Sequence, residues 1–109
     1  AVRRGELWTA SGGRHDASKP RPVLIVQDDR FDATDSITIC PLTTDLTEIP
    51  LLRIPLIAAV DSGLAAPSRL MVDKLTTMPR SKLGERIGAV TDTDMVALSR
   101  ALVVFLGLT

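Results

Sequence analysis

Lys19-Pro20-Arg21-Pro22-Val23-Leu24-Ile25-Val26 is the stretch from which the fold of this chain can be read. Its four consecutive aliphatic residues, bounded by turn formers, have the pattern of a strand buried on both faces. Pro20 and Pro22 hold φ near about −65° and donate no backbone hydrogen bond, so Arg21 is expected at the strand's mouth rather than inside a ladder. A glycine-rich basic loop, Ser11-Gly12-Gly13-Arg14-His15-Asp16-Ala17-Ser18, leads into it. A guanidinium at the rim of a rigid element, beside such a loop, is well placed to meet a phosphate. By itself Arg21 is more simply a surface strand residue paired with a nearby carboxylate.

Outward from this strand the pattern is a series of short strands closed by one helix. Glu6-Leu7-Trp8-Thr9 reads as a first strand with Trp8 filling the core. Ile37 to Leu42 alternates as a third strand, and Leu51–Ile54, bordered by Pro50 and Pro55, fits an edge strand. Ser68–Val72 and Lys74–Met78 read as strands bent around Asp73, Arg80 to Gly84 as one helical turn, and Arg86–Val90 as the last strand. Thr91-Asp92-Thr93-Asp94 starts a helix, with a threonine N-cap and carboxylates at the positive end of the dipole. Met95, Leu98, Leu102, Phe105 and Leu106 share one face of it, and Gly107 stops it. Val96, Val103 and Val104 widen the apolar arc beyond what one sheet needs, which points to a second copy of the chain as partner. The expected architecture is a small, strongly bent β-barrel with a terminal helix across it.

The chain of 109 residues suits one domain with a single core. Its 13 basic and 13 acidic side chains cancel, so net charge alone argues for no nucleic-acid partner. Their distribution is uneven: Arg3, Arg4, Arg14, Lys19 and Arg21 form one basic block, and Arg69, Lys74, Arg80, Lys82 and Arg86 another. The segment between them is acidic, and folding could bring the basic blocks onto one face. Cys40, alone in its type, is expected as a small buried hydrophobe, and one His with one Cys cannot assemble a zinc-type cluster. No signal peptide and no bilayer-spanning apolar run is visible, so no membrane association and a cytoplasmic location are expected.

Phosphate-cradling loops, nucleophile elbows and metal-ligand spacings are absent. Any reaction must therefore run on Arg, Thr, Ser and carboxylates, without a cofactor. RNA backbone cleavage fits that toolkit. The substrate carries its own nucleophile, the 2′-OH, and the protein need only align groups, neutralise charge on the phosphate oxygens and assist proton transfer.

Several stretches, in order, resemble the MazF/PemK family: Arg4-Gly5-Glu6-Leu7-Trp8, the loop into Lys19–Val26, Pro41-Leu42-Thr43-Thr44, Gly63-Leu64 through Pro67-Ser68, and Asp73-Lys74-Leu75-Thr76-Thr77. The similarity runs over essentially the whole chain, residues 1–109. It implies a mainly β (β+α) SH3-like/CcdB-like barrel of six to seven strands with a C-terminal helix. It further implies the toxin of a type II toxin–antitoxin pair: a homodimeric, metal-independent, sequence-specific endoribonuclease (an mRNA interferase) held in check by a cognate MazE-type antitoxin. Such enzymes cut single-stranded RNA, mostly mRNA, leaving a 2′,3′-cyclic phosphate and a 5′-hydroxyl.

By the same resemblance Arg21 and Thr43 occupy the catalytic positions, and Asp16 falls where relatives often carry an acidic loop residue. Arg14, His15, Lys19, Arg69, Asp73, Lys74 and Thr76 are the expected RNA-binding residues, with Arg80 and Thr77 as additions. Lys74 stands where relatives often have Gln, and a point charge reads base edges differently from an amide. Two other readings compete: a non-catalytic CcdB-like toxin that binds DNA gyrase, and an RNA-binding barrel without activity.

Overall fold

The computed structural model describes residues 1–11, 19–56 and 60–109. Its strands are β1 (Glu6–Ala10), β2 (Arg21–Ile25), β3 (Ser36–Thr43), β4 (Arg53–Pro55), β5 (Arg69–Met71), β6 (Thr76–Pro79) and β7 (Leu83–Ala89), followed by helix α1 (Asp92–Phe105). They form a seven-stranded antiparallel sheet in the order β4-β5-β3-β2-β1-β7, with β6 added to β3 off that path. The long β3 is the spine. Its Ser36–Ile39 end pairs with β6, while Leu42 and Thr43 pair with Leu70 and Arg69 of β5. One strand thus serves both halves of a strongly bent sheet.

As its unbroken apolar run implies, β2 is buried on both faces. Leu24 and Val26 join a cluster with Leu7, Cys40, Leu42, Leu70, Val72 and Leu98, while Val23 and Ile25 join Ala10, Ile37 and Ile39 on the other side. Full burial of each such side chain stabilises by about 1.5–3 kcal/mol. Trp8 packs, half-buried, against the second cluster, and its indole N–H donates to Glu6 Oε1 at 3.1 Å. Cys40 is fully buried, and burial pushes its thiol pKa up to about 12.

Helix α1 lies over the first cluster. The Thr91 hydroxyl accepts the Asp94 N–H at 3.1 Å, and Leu98 is wholly buried with Met95, Ala101 and Leu102 packed around it. At the other end Gly107, at φ 70°, lets its N–H reach Val104 O (3.1 Å) and the Leu108 N–H reach Val103 O (2.8 Å). The Arg4 guanidinium bridges the layers, donating to Val26 O and, at 2.9 Å, to Ser99 Oγ.

Four expectations need correction. Phe105 and Leu106 do not reach the core: they are 44% and 50% exposed, because the helix's contacts with the cluster end at Leu102 and its last turn overhangs the sheet. The fourth strand begins two residues late, at Arg53, because Leu51 adopts φ 70° in a turn closed by the Leu52 and Arg53 N–H groups on Ile49 O. Lys74 belongs to a 3-10 turn, Val72–Lys74, rather than to β6. The helical turn is Arg80–Lys82, and β7 starts directly after it at Leu83. Among the described residues no helix is long and apolar enough to cross a membrane.

Candidate active site

The β2–β3 ladder pairs Val23 with Pro41, Leu24 with Cys40 and Ile25 with Ile39. The ladder ends at Val23–Pro41; continued in the same register it would set Arg21, the first residue of β2, opposite Thr43, the last of β3. Opposed residues of an antiparallel pair have Cα atoms about 4.5–5.5 Å apart and project from one face. Alternation places both on the face that carries Val23, Ile25 and Ile39. Arg21 is exposed there, at the strand's mouth opposite Ala10 of β1.

On its other side Thr43 is paired with Arg69 of β5. Beyond that, Arg53 of β4 is opposite Met71 and so lies on the same face. Arg53 is already engaged, donating to Leu52 O at 2.9 Å and to the Asp73 carboxylate. Burial raises the Asp73 pKa, but the Arg53 hydrogen bond and charge outweigh it and hold the group below the usual carboxylate range. Thr43, Asp45, Thr47, Ile49, Arg53 and Met71 line a cleft of about 190 Å³ beside these arginines.

The chain leaving β3 is built to fix the threonine. The Asp45 N–H donates to Thr43 Oγ1 at 3.1 Å, and Asp45 Oδ1 accepts the Thr47 N–H (2.9 Å) and Thr47 hydroxyl (2.7 Å). This is an Asx turn, in which a carboxylate replaces a backbone acceptor. The two Thr47 hydrogen bonds, then the charges of Arg53 and Arg69, lower the Asp45 pKa. One lone pair of the Thr43 hydroxyl is thereby occupied, which leaves its proton free to donate into the cleft.

Other expected residues lie further off or elsewhere. Lys19 is exposed just before β2. Thr76 pairs with Ile39, four residues along β3 from Thr43 and so roughly 13 Å away, and its hydroxyl donates to Lys74 O at 2.7 Å. Lys74 is exposed beside it. Arg80 is taken up at the surface by the turn before β3, hydrogen-bonding to the Thr34 carbonyl and hydroxyl and to Phe31 O, and the Thr77 hydroxyl is bonded to that of Thr38 at 2.7 Å. Arg14, His15 and Asp16 lie outside the described residues. Among the described residues no group of His, Cys, Asp and Glu could hold a metal ion.

Arg53, Asp45 and Thr47 were not legible as site residues. Asp45-Leu46-Thr47 does carry the Asx-turn signal, but its bond to Thr43 is a product of the turn's geometry. The Arg53–Asp73 pair spans twenty residues and depends on the β4–β5 register.

The small bent sheet with a helix across it carries arginines and a hydrogen-bonded threonine at neighbouring strand ends, groups whose chemistry suits a phosphate. The family model described as "PemK-like, MazF-like toxin of type II toxin-antitoxin system" matches residues 3–106. The chain belongs to this family and is an endoribonuclease toxin of the MazF type. It is 53% identical over 107 residues, 98% of each chain, to the "Probable endoribonuclease MazF" of Mycolicibacterium smegmatis. Among solved structures it is similar to a mycobacterial endoribonuclease in complex with its cognate antitoxin (TM-score 0.82, 27% identity, 100% of this chain and 98% of that one). It is also similar to Mycobacterium tuberculosis toxin MazF-mt6 (TM-score 0.79, 28% identity, 95% of this chain and 98% of that one).

Proposed function

We propose that this toxin, a single catalytic domain, cleaves single-stranded RNA, mRNA foremost, within short sequence motifs and without a metal ion. The 2′-OH gives up its proton to a base and attacks the adjacent phosphorus, the O2′–P bond forms and the P–O5′ bond breaks, and the departing O5′ takes a proton from solvent or Arg21, leaving a 2′,3′-cyclic phosphate and a 5′-hydroxyl. Arg21 neutralises charge developing on the phosphate oxygens through paired N–H donors. Thr43 donates its hydroxyl proton to the same phosphate and holds it in line. Asp16, His15 and solvent are the candidates to accept the 2′-OH proton. Lys19, Arg69, Lys74 and Thr76 extend the RNA track, and Arg14, outside the described residues, is a further candidate for it.

The observation that carries this reading is the β2–β3 register, whose continuation brings Arg21 opposite Thr43. The test is an Arg21→Ala variant on labelled single-stranded RNA, expected to lose at least ~10²–10³ in rate. Cleavage at the parental rate by that variant would remove the mechanism. EDTA is expected to change nothing, and binding to weaken steeply with salt.

The protein works in the cytoplasm as a homodimer, and the outer face of α1 supports the latter reading. Val96, Val103, Val104, Leu106 and Leu108 are all exposed there or just beyond it. A MazE-type antitoxin is the expected inhibitor, as a similar mycobacterial endoribonuclease is seen with its cognate antitoxin. An acidic, disorder-prone antitoxin segment lying along the basic face would compete with RNA.

A further inference from the structure

Thr43 is flanked by arginines on two sides, and they are not equivalent. Arg21 stands exposed at the mouth of β2, while Arg69 is half-buried in β5 and directly paired with Thr43. Of the guanidinium groups on this face, that of Arg53 is taken by Asp73 and Leu52 O. Among the described residues Arg69 has no such partner. Its Nε is buried and makes no hydrogen bond among the described residues. An atom so shielded does not itself meet a ligand, but no hydrogen bond among the described residues anchors this guanidinium, so its terminal N–H groups are left for an arriving acceptor.

After the Thr47 hydrogen bonds and the charge of Arg53, that of Arg69 helps to hold the Asp45 pKa down, while Asp45 Oδ1 is committed to Thr47. Asp45 therefore offsets the positive charge of Arg69 in the free protein without occupying its donors. A planar fork on the residue paired with Thr43, its terminal N–H groups unspent, suits a phosphate oxygen.

We propose that Arg69 is a second arginine of the reaction, donating to a non-bridging oxygen of the scissile phosphate from the β5 side while Arg21 acts from the β2 side. This rests on the reading of Arg21 and Thr43 given above. The bonds made and broken are unchanged: O2′–P forms, P–O5′ breaks, and Arg69 neither gains nor loses a proton. It acts by holding negative charge that grows as the phosphorus becomes five-coordinate. Arg69 thereby becomes a catalytic residue rather than part of the extended RNA track, and the pocket grips its phosphate from both neighbours of the central strand.

The experiment uses the purified toxin and a short RNA spanning one of its own mapped cut sites, made with oxygen or with either phosphorothioate diastereomer at the scissile position. Single-turnover rates at saturating protein are compared for the parent, Arg69→Met, Arg69→Lys and Arg21→Ala, each checked for its fold by circular dichroism. Arg69→Met is expected to slow the saturated rate about 10²-fold. Arg69→Lys should recover only part, because it restores charge without the planar fork. In the parent one diastereomer should be slowed on the order of 10-fold more than the other, and that difference should vanish in both Arg69 variants. If Arg69→Met does not fold, the diastereomer difference in Arg69→Lys decides.

An unchanged saturated rate in a folded Arg69 variant, with only the RNA Kd raised, would make Arg69 a tether and overturn the proposal. So would a diastereomer difference that survives intact. Arg21→Ala separates the two levels: if it cuts at the parental rate, the underlying site reading fails. If Arg21→Ala collapses while Arg69→Met does not, only the role given to Arg69 fails.

Discussion

The backbone N–H of Asp45 donates to the Thr43 hydroxyl at 3.1 Å, so the turn that ends β3 also aims the side chain at its last position. The turn is closed by Asp45 Oδ1 on Thr47. Asp45→Ala removes that closure and is expected to lower the single-turnover cleavage rate about tenfold, equivalent to ~1.4 kcal/mol. Asp45→Asn keeps an acceptor oxygen for Thr47 and should lose markedly less. Equal losses in the two variants would show that the carboxylate's charge, not the turn, matters.

The Arg53–Asp73 pair predicts an acid-labile component of stability. Asp73 titrates below its ordinary value in the folded chain, so its contribution is fully present above the unfolded pKa. It is lost as pH falls through the folded one. The Asp73 side chain is 27% exposed and that of Arg53 11%, so screening reduces the pair's worth to about 1–2 kcal/mol. Urea melts of Asp73→Asn at pH 7 should show that deficit, and the deficit should close below about pH 4. A gap independent of pH would contradict the assignment.

Gly63, part of the stretch that carries the family resemblance, is tied to the fold by geometry. It has φ 68°, and a Cβ there would lie 1.9 Å from the Ile87 carbonyl oxygen of β7. Gly63→Ala is expected to destabilise by at least about 2 kcal/mol. A shift of that size is roughly 8–16 °C in Tm for a domain of about this length, readable by calorimetry. Wild-type melting would mean that the loop can move away from β7.

The outer face of α1 gives a prediction about assembly. Val104 is 55% exposed and adjoins Leu51, Ile54, Pro55, Ala97 and Ala101 in a depression between the helix and β4 that Arg53 and Arg100 also line. A charge placed there by Val104→Lys should weaken a dimer at least ~100-fold, because an ammonium would be desolvated beside Arg53 and Arg100. Sedimentation velocity at micromolar concentration reads this directly. A parent protein that sediments as a monomer would end the dimer reading.

Much of the fold was legible because local chemistry and tertiary outcome agree. The unbroken aliphatic run after Pro22 became a strand buried on both faces, since no polar residue interrupts either side of it. Thr91 caps α1 through its own hydroxyl, and Gly107 ends it through its left-handed φ; both are short-range effects. The family resemblance followed from motif order, and the match over residues 3–106 agrees with it.

What the chain alone determined was the type and order of its elements and the presence of Arg21 and Thr43 at strand ends, because burial patterns and prolines act within a few residues. What only the tertiary structure decided was their company. Antiparallel register brings Arg69 beside Thr43 and commits Arg53 to Asp73, and the turn after β3 fastens the hydroxyl. Pairings between residues some twenty to thirty positions apart depend on how strands align, and strand alignment is set by the packing of the whole sheet.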